Sequence, residues 1–374
     1  MFLAMRELRR AKGRFALLIG AVALVVFLIL VQQALRDSLV DSFVGGIRNS
    51  SAPVLVLDVD GRRFLQGSTI TPELEWAVRG VDGIDAVARI GQGAFAVTAG
   101  GRPRSVAVVG YDTEGLGSPA DLVEGRLPTG RAEVVANAAD ASLGFRVGDR
   151  LVVPPTGLEL VVVGRAAGAG LNVTPTVYGT WATYVDVLRT RNADTGDDVR
   201  PNALAVRQAG GLAARELAAR INAASPTADA LTARDAADGN PGVVNIERSF
   251  GVIFLLFGIV LPLVTGLFFL ILTQQKQQSL TLLRAFGAPA SRLSATVLYQ
   301  AVFVLAAALA LGTAAYWLIS LRSTPELTIP YQSDAVVAWS VVLGALGMVS
   351  AAASVRRVRR LDPLAAQSNE GLDR

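Results

Sequence analysis

Four stretches of this chain run for about twenty residues or more without Asp, Glu, Lys or Arg: Phe15 to Leu35, Ser249 to Gln275, Leu293 to Leu321 and Ala335 to Val355. A bilayer core about 30 Å thick asks for roughly twenty consecutive apolar residues in a helix. A buried helix of a water-soluble protein seldom sustains such a length, and four in one chain would be exceptional. The first stretch is too long for the apolar core of a cleaved leader, and no small-x-small site closes it. Gln32-Gln33-Ala34-Leu35-Arg36 instead reads as a helix running on beyond the apolar block, so this segment is expected to be an anchor.

Charge supplies an orientation. Arg6, Arg9, Arg10, Lys12 and Arg14 precede the first span against a lone Glu7. Lys276, Arg284 and Arg292 separate the second and third without an acid, and Arg356, Arg357, Arg359 and Arg360 follow the fourth. The positive-inside rule puts all three in the cytoplasm. The loop with Arg322, Glu326 and Asp334 then lies outside, together with residues 36–248. That large segment has 21 basic and 25 acidic residues, a net of −4, while the remainder has 14 and 6, a net of +8. The basic balance is therefore a topology signal and not a nucleic-acid footprint. The expected fold class is an integral membrane protein with four transmembrane helices and a large α+β extracytoplasmic domain inserted between the first two. Its layout is a cytoplasmic amphipathic helix over 1–14, spans over 15–35, 249–273, 293–320 and 335–355, and the external domain over 36–248. A cytoplasmic coupling helix covers 274–292, a short external loop 321–334 and a cytoplasmic tail 356–374.

Chemistry is thin. The chain has no histidine and no cysteine, which removes thiolate nucleophiles, imidazole bases, disulfides and the usual zinc ligands. Its two lysines, Lys12 and Lys276, lie outside any Gly-x-x-x-x-Gly-Lys-Ser/Thr phosphate loop. No catalytic residue, metal site or cofactor is expected, and the pairs Asp58/Asp60 and Asp197-Asp198 read as solvated surface.

Within the external domain, Val54–Val59 alternates as a strand ending at Asp60-Gly61. Ala94–Thr98 and Ser105–Val109 flank Gly100-Gly101 as a hairpin. Ala132–Ala136 predicts a strand, followed by a small helix over 138–143; Arg150–Val153 and Leu158–Val163 predict two more strands. Val177–Leu188 reads as a strand leading into a helix. Over Gly211–Ala224, Leu212, Leu217 and Ile221 share a helical face expected to pack on the domain's own sheet. Asn192–Asn202 reads as a polar loop and Ala237–Val243 as a Gly/Pro connector.

The polar, basic stretch Gln275-Lys276-Gln277-Gln278-Ser279-Leu280-Thr281-Leu282-Leu283-Arg284-Ala285-Phe286-Gly287-Ala288 between two uncharged spans resembles a signature of the MacB/FtsX-like ABC exporter permeases (type VII fold), with Ser279 where that family often has an acid. The tail Val358-Arg359-Arg360-Leu361-Asp362-Pro363-Leu364-Ala365-Ala366 is similar to the family's basic run before Asp-Pro. Glu124-Gly125-Arg126-Leu127-Pro128, with Leu143-Gly144-Phe145-Arg146-Val147-Gly148-Asp149 and Val161-Val162-Val163-Gly164, resembles the core of its external domain. The opening Met1-Phe2-Leu3-Ala4-Met5-Arg6-Glu7-Leu8 is similar to the DevC/HrtB-like branch, which includes haem exporters.

The resemblance implies a homodimeric permease in a bacterial cytoplasmic membrane, both termini inside, served by a separate ABC ATPase dimer that binds ATP-Mg. It implies that Leu280, Leu282, Leu283, Arg284, Phe286 and Gly287 dock that ATPase; a plain membrane-surface helix on lipid phosphates is the other reading of the segment. It implies export or extraction of a haem-like, lipid or peptide substrate, with the groove between the first and second spans as the route for an amphiphile. The alternative is mechanotransmission to extracytoplasmic partners without transport. For haem, Glu247 is the candidate ligand, with Gln33 and Tyr331 behind it, while an interfacial carboxylate paired with Arg248 or Arg36 is the plainer role for Glu247. Pro262 and Gly266 are expected either to bend the second span as a gate or to be a kink absorbed by lipid.

Overall fold

The computed structural model describes residues 12–113, 115–196, 198–275, 290–321 and 330–359. Two compact units emerge, Asp37–Arg248 on one hand and Met1–Arg36 with Ser249–Arg374 on the other. Helix α1 (Lys12–Arg48) opens the described chain. The inserted domain follows with β1 (Val54–Asp58), α2 (Pro72–Arg79), β2 (Ile84–Ala99), β3 (Arg102–Tyr111), β4 (Leu122–Gly125), β5 (Glu133–Asn137), β6 (Arg150–Val153), β7 (Leu158–Ala166), β8 (Thr176–Thr180), α3 (Trp181–Arg191), β9 (Ala203–Gln208), α4 (Ala214–Ala224), β10 (Ala228–Thr232) and α5 (Ala233–Asp238). Helices α6 (Pro241–Gln275), α7 (Ala290–Ser320) and α8 (Ser333–Arg359) complete it.

The ten strands form one mixed sheet in the order β10-β1-β9-β2-β3-β8-β5-β7-β4, with β6 bridging β2 and β7. The β3–β8 and β5–β7 pairs are parallel and the rest antiparallel. Strand alternation sorts side chains to two faces. On β3, Ala107, Val109 and Tyr111 join a core that takes in Val40, Val44 and Ile47 of α1, whereas Val106 and Val108 face a second core with Phe145 and Leu151. Val54 and Val56 of β1 meet Leu217 and Ile221 of α4, so that helix packs on the sheet as its apolar face predicts. Gly100 and Gly101 both have positive φ, 54° and 74°. That conformation suits a two-residue hairpin turn following the right-handed twist of its strands, and Ala99 pairs Arg102 across it.

One element departs from the sequence reading. The stretch over 237–243 is no connector: α5 runs to Asp238 and α6 starts at Pro241, a residue whose missing N–H and fixed φ suit a first helical turn. The Asn240 side chain accepts from the Gly242 N–H at 2.9 Å. Helix α1 runs on beyond the apolar block, as the Gln32–Arg36 stretch predicts, and reaches Arg48 because Val40, Val44 and Ile47 recur at helical spacing and bury against the sheet.

In the other unit, Phe15, Leu18, Val22, Val26, Ile29 and Ala34 form one stripe of α1 packed with Leu261 and Phe269 of α6, Ala301, Val304 and Ala308 of α7, and Leu343 and Ala351 of α8. Small residues let the backbones approach, as helix packing in lipid requires. A Cβ on Gly312 would lie 2.7 Å from the Ala23 carbonyl oxygen. Helix α6 continues through Pro262, whose carbonyl accepts from Ser350 Oγ of α8 at 2.6 Å.

Candidate functional site

Helices α1 and α6 enclose a groove of about 400 Å³ lined by Leu17, Leu18, Ala21, Leu263, Val264, Leu267, Phe268 and Ile271, closed at one end by Arg14 and Gln275. Its origin lies in the stripe just described. Leu18 and Phe268 hold the inner wall, Phe15 packing edge-on against Phe268 with ring centroids 5.7 Å apart. One position round each helix, Leu17 is 78% exposed and Leu263 61% exposed. These apolar side chains therefore line a slot and do not fill a core. The Arg14 guanidinium donates to the Gln275 side-chain oxygen, so the slot ends in a polar clasp. Such a surface offers dispersion and apolar burial to a ligand with no polar group along most of its length, and a cation at one end. It holds no nucleophile, general base or metal-ligand set, and among the described residues no cluster of three metal-binding side chains occurs.

The three substrate candidates lie elsewhere. Glu247 is exposed on α6, within the Asp37–Arg248 unit. Gln33, half-buried on α1, accepts from the Trp339 indole at 3.4 Å; Trp339 itself lies tilted against Phe254, ring centroids 5.1 Å apart. Tyr331 stacks on Tyr316 at 5.5 Å and lines a different cavity with Thr313, Ala314, Trp317 and Ser340. Gln33 does not line that cavity. The docking residues Leu280, Leu282, Leu283, Arg284, Phe286 and Gly287 lie outside the described residues. The groove residues were legible only as generic span positions, because apolar composition alone does not say which face of a span is left uncovered.

In the inserted domain, the segment from Gly125 to Glu133 has a physical rationale. Gly125 has φ of 75°, and a Cβ there would sit 2.2 Å from the Val163 carbonyl oxygen. The turn that follows is held by one carboxylate: Glu133 accepts from Arg126 and from the Thr129 and Gly130 N–H groups, both at 3.0 Å. Bonding by Arg126, reinforced by the two backbone donors, holds the Glu133 carboxyl at a pKa of about 2. Asp58, one of the paired carboxylates, caps the next turn by accepting from the Asp60 N–H at 2.8 Å.

Four helices in the described structure are long and apolar enough to cross a membrane, Gly13–Arg48, Pro241–Ile271, Leu298–Ser320 and Ser333–Ala353. With an α+β domain inserted between the first two, they define a multi-pass membrane protein. Residues 249–363 match the family described as FtsX-like permease C-terminal. That match gives these residues the character of an FtsX-like permease domain and, with the four spans, supports a permease subunit of an ABC-type transporter. The chain is similar to the crystal structure of the periplasmic region of MacB from Actinobacillus actinomycetemcomitans, at 14% identity and a TM-score of 0.36, over 50% of this chain and 92% of that one. It is also similar to the extracellular domain of the noncanonic ABC-type transporter YknZ from Gram-positive bacteria, at 15% identity and a TM-score of 0.31, over 44% and 90%. No curated protein sequence matches the chain.

Proposed function

We propose that this permease works with a separate cytoplasmic ATPase dimer to extract a hydrophobic or amphiphilic substrate from the bacterial cytoplasmic membrane, and that it does so as a homodimer with both termini inside. The observation that carries the reading is the α1–α6 groove: almost wholly apolar along its walls, with Arg14 and Gln275 at one end. A slot of this kind suits an acyl chain, an apolar peptide or a haem-like macrocycle bearing an anionic group. The enclosing helices are the ones that flank the inserted domain in sequence, so a change in their spacing would alter the slot. Leu280, Leu282, Leu283, Arg284, Phe286 and Gly287 are proposed to receive the ATPase, whose hydrolysis would drive that change. This chain supplies no ATPase chemistry; ATP-Mg would be bound by the partner.

Co-purification with the candidate ATPase in lipid nanodiscs tests the reading through the rate of ATP hydrolysis. Stimulation by a lipopeptide, a lipid or haem supports extraction. A rate indifferent to every amphiphile but raised by a soluble extracytoplasmic protein would replace extraction with mechanotransmission. In the haem arm, a Soret shift that disappears in Glu247→Ala would bring Glu247, with Gln33 and Tyr331, into the site; a shift that survives would remove it.

A further inference from the structure

The inserted domain carries more acids than bases, yet four arginines converge on one cavity of about 650 Å³. Arg102, Arg104, Arg146 and Arg150 line it beside the Gly100-Gly101 turn, with Asp149 contributing a carboxylate. Local structure explains the convergence. Arg102 and Arg104 sit two apart on β3 and so share a face with Val106 and Val108. Arg146 is turned outward by its neighbour Phe145, which is fully buried in the core below. The Arg146 loop is pinned: its N–H donates to Asp149 Oδ2 at 2.7 Å, and the Gly148 N–H donates to the Val162 carbonyl at 2.8 Å. Gly144 completes the wall, since a Cβ there would lie 2.6 Å from the Gly100 nitrogen.

The positive charge is largely unanswered. Arg150 pairs with Glu159 at 2.6 Å, but among the described residues no carboxylate lies within ion-pair distance of Arg102, Arg104 or Arg146. The Arg104 Nε is buried with no hydrogen-bond partner. Asp140, whose carboxyl burial pushes up despite the nearby Arg104 charge, is engaged instead by the Thr176 N–H at 3.2 Å. A buried guanidinium nitrogen without an acceptor is costly to maintain, and a fork of fixed donors matches a phosphoryl group.

We propose that this cavity binds a multiply charged phosphoryl group, with Arg104 and Arg146 as its principal ligands and Arg102 as a third. A concave site of this volume falls in the range of small-ligand clefts, roughly 300–1,000 Å³. The phosphoryl group could belong to a soluble compound or to a lipid headgroup; the chemistry is shared.

The test uses the full chain in zwitterionic nanodiscs, with inorganic pyrophosphate as the calorimetric probe at roughly physiological salt. Submillimolar binding is expected, weakened about tenfold or more in both Arg104→Gln and Arg146→Gln, as the loss of a charge-assisted bond implies. Arg207→Gln, whose side chain lies 3.8 Å from Asp85 at another site, should bind like the parent. Arg146 is exposed, so its variant remains informative if Arg104→Gln misfolds. Repeating the titration in phosphatidylglycerol nanodiscs assigns the source: competition supports a headgroup, unchanged affinity a soluble phosphate. Absence of binding, or binding that neither variant weakens, would overturn the proposal.

Discussion

Replacing Glu133 by Gln keeps the shape of the turn clamp and removes its charge, which makes the consequence calculable. The carboxylate accepts from Arg126, Thr129 and Gly130, and its pKa falls from 4.5 to about 2. At about 1.36 kcal/mol per tenfold, that fall sets a ceiling of about 3.4 kcal/mol. The Arg126 side chain is 53% exposed and that of Glu133 22% exposed, so water and salt reduce the figure to about 1–1.5 kcal/mol. A group whose folded pKa is depressed contributes stability that is complete above its unfolded pKa and is lost as pH falls through the folded one. The contribution is therefore intact at pH 7, shrinks below about 4.5 and has fallen below about half by pH 3. Scanning calorimetry of the full chain in nanodiscs should show the inserted-domain transition of Glu133→Gln about 2–6 °C below the parent at pH 7, with the gap narrowing at pH 3. Equal melting at pH 7, or a gap of the same size at both, would refute the clamp argument.

Further outcomes follow from other contacts. Tyr178→Phe should destabilise the inserted domain by about 1–2 kcal/mol, read in the same calorimetric transition, because the buried Tyr178 hydroxyl donates to the Ala169 carbonyl at 3.0 Å. Gly312→Ala should cost about 1–3 kcal/mol in resistance of the membrane bundle to detergent unfolding, since its Cβ would meet the Ala23 oxygen at 2.7 Å and Val26 Cβ at 2.8 Å. Gly344→Ala, with its nearest atom at 3.9 Å, should be close to neutral in the same assay. Arg284→Glu should abolish co-purification of the ATPase while leaving membrane insertion intact; an unchanged yield of ATPase would return that segment to a plain membrane-surface role.

Much of the architecture was legible because lipid simplifies the code: an uncharged run of twenty residues has few alternatives. The helix extensions were less plain, since beyond Leu35 the pattern changes from uniformly apolar to one face carrying Val40, Val44 and Ile47. In the inserted domain the Gly100-Gly101 hairpin and the β8–α3 segment announced themselves through turn chemistry and a change of period. Strands β9 and β10 did not, being short and alternating through alanines such as Ala203, Ala205, Ala228 and Ala230, which carry little strand preference. Helix α2 has a start signal in Thr71 before Pro72, the Thr71 hydroxyl accepting from the Leu74 N–H at 3.2 Å. Sheet order depends on pairings far apart in sequence, such as β1 with β10, that no local pattern encodes. The groove and the arginine cavity share that limitation. Leu17 and Leu267, or Arg104 and Arg146, become a site only when folding brings their elements side by side.

The chain has no cysteine, so Leu267→Cys places a single reporter thiol in the α1–α6 groove. The most direct test measures its modification by a membrane-permeant maleimide in nanodiscs with the partner ATPase, with and without amphiphile and ATP. Extraction through the groove predicts protection when amphiphile is bound and a renewed change in reactivity during ATP turnover. A thiol that reacts at one rate under every condition would contradict the account.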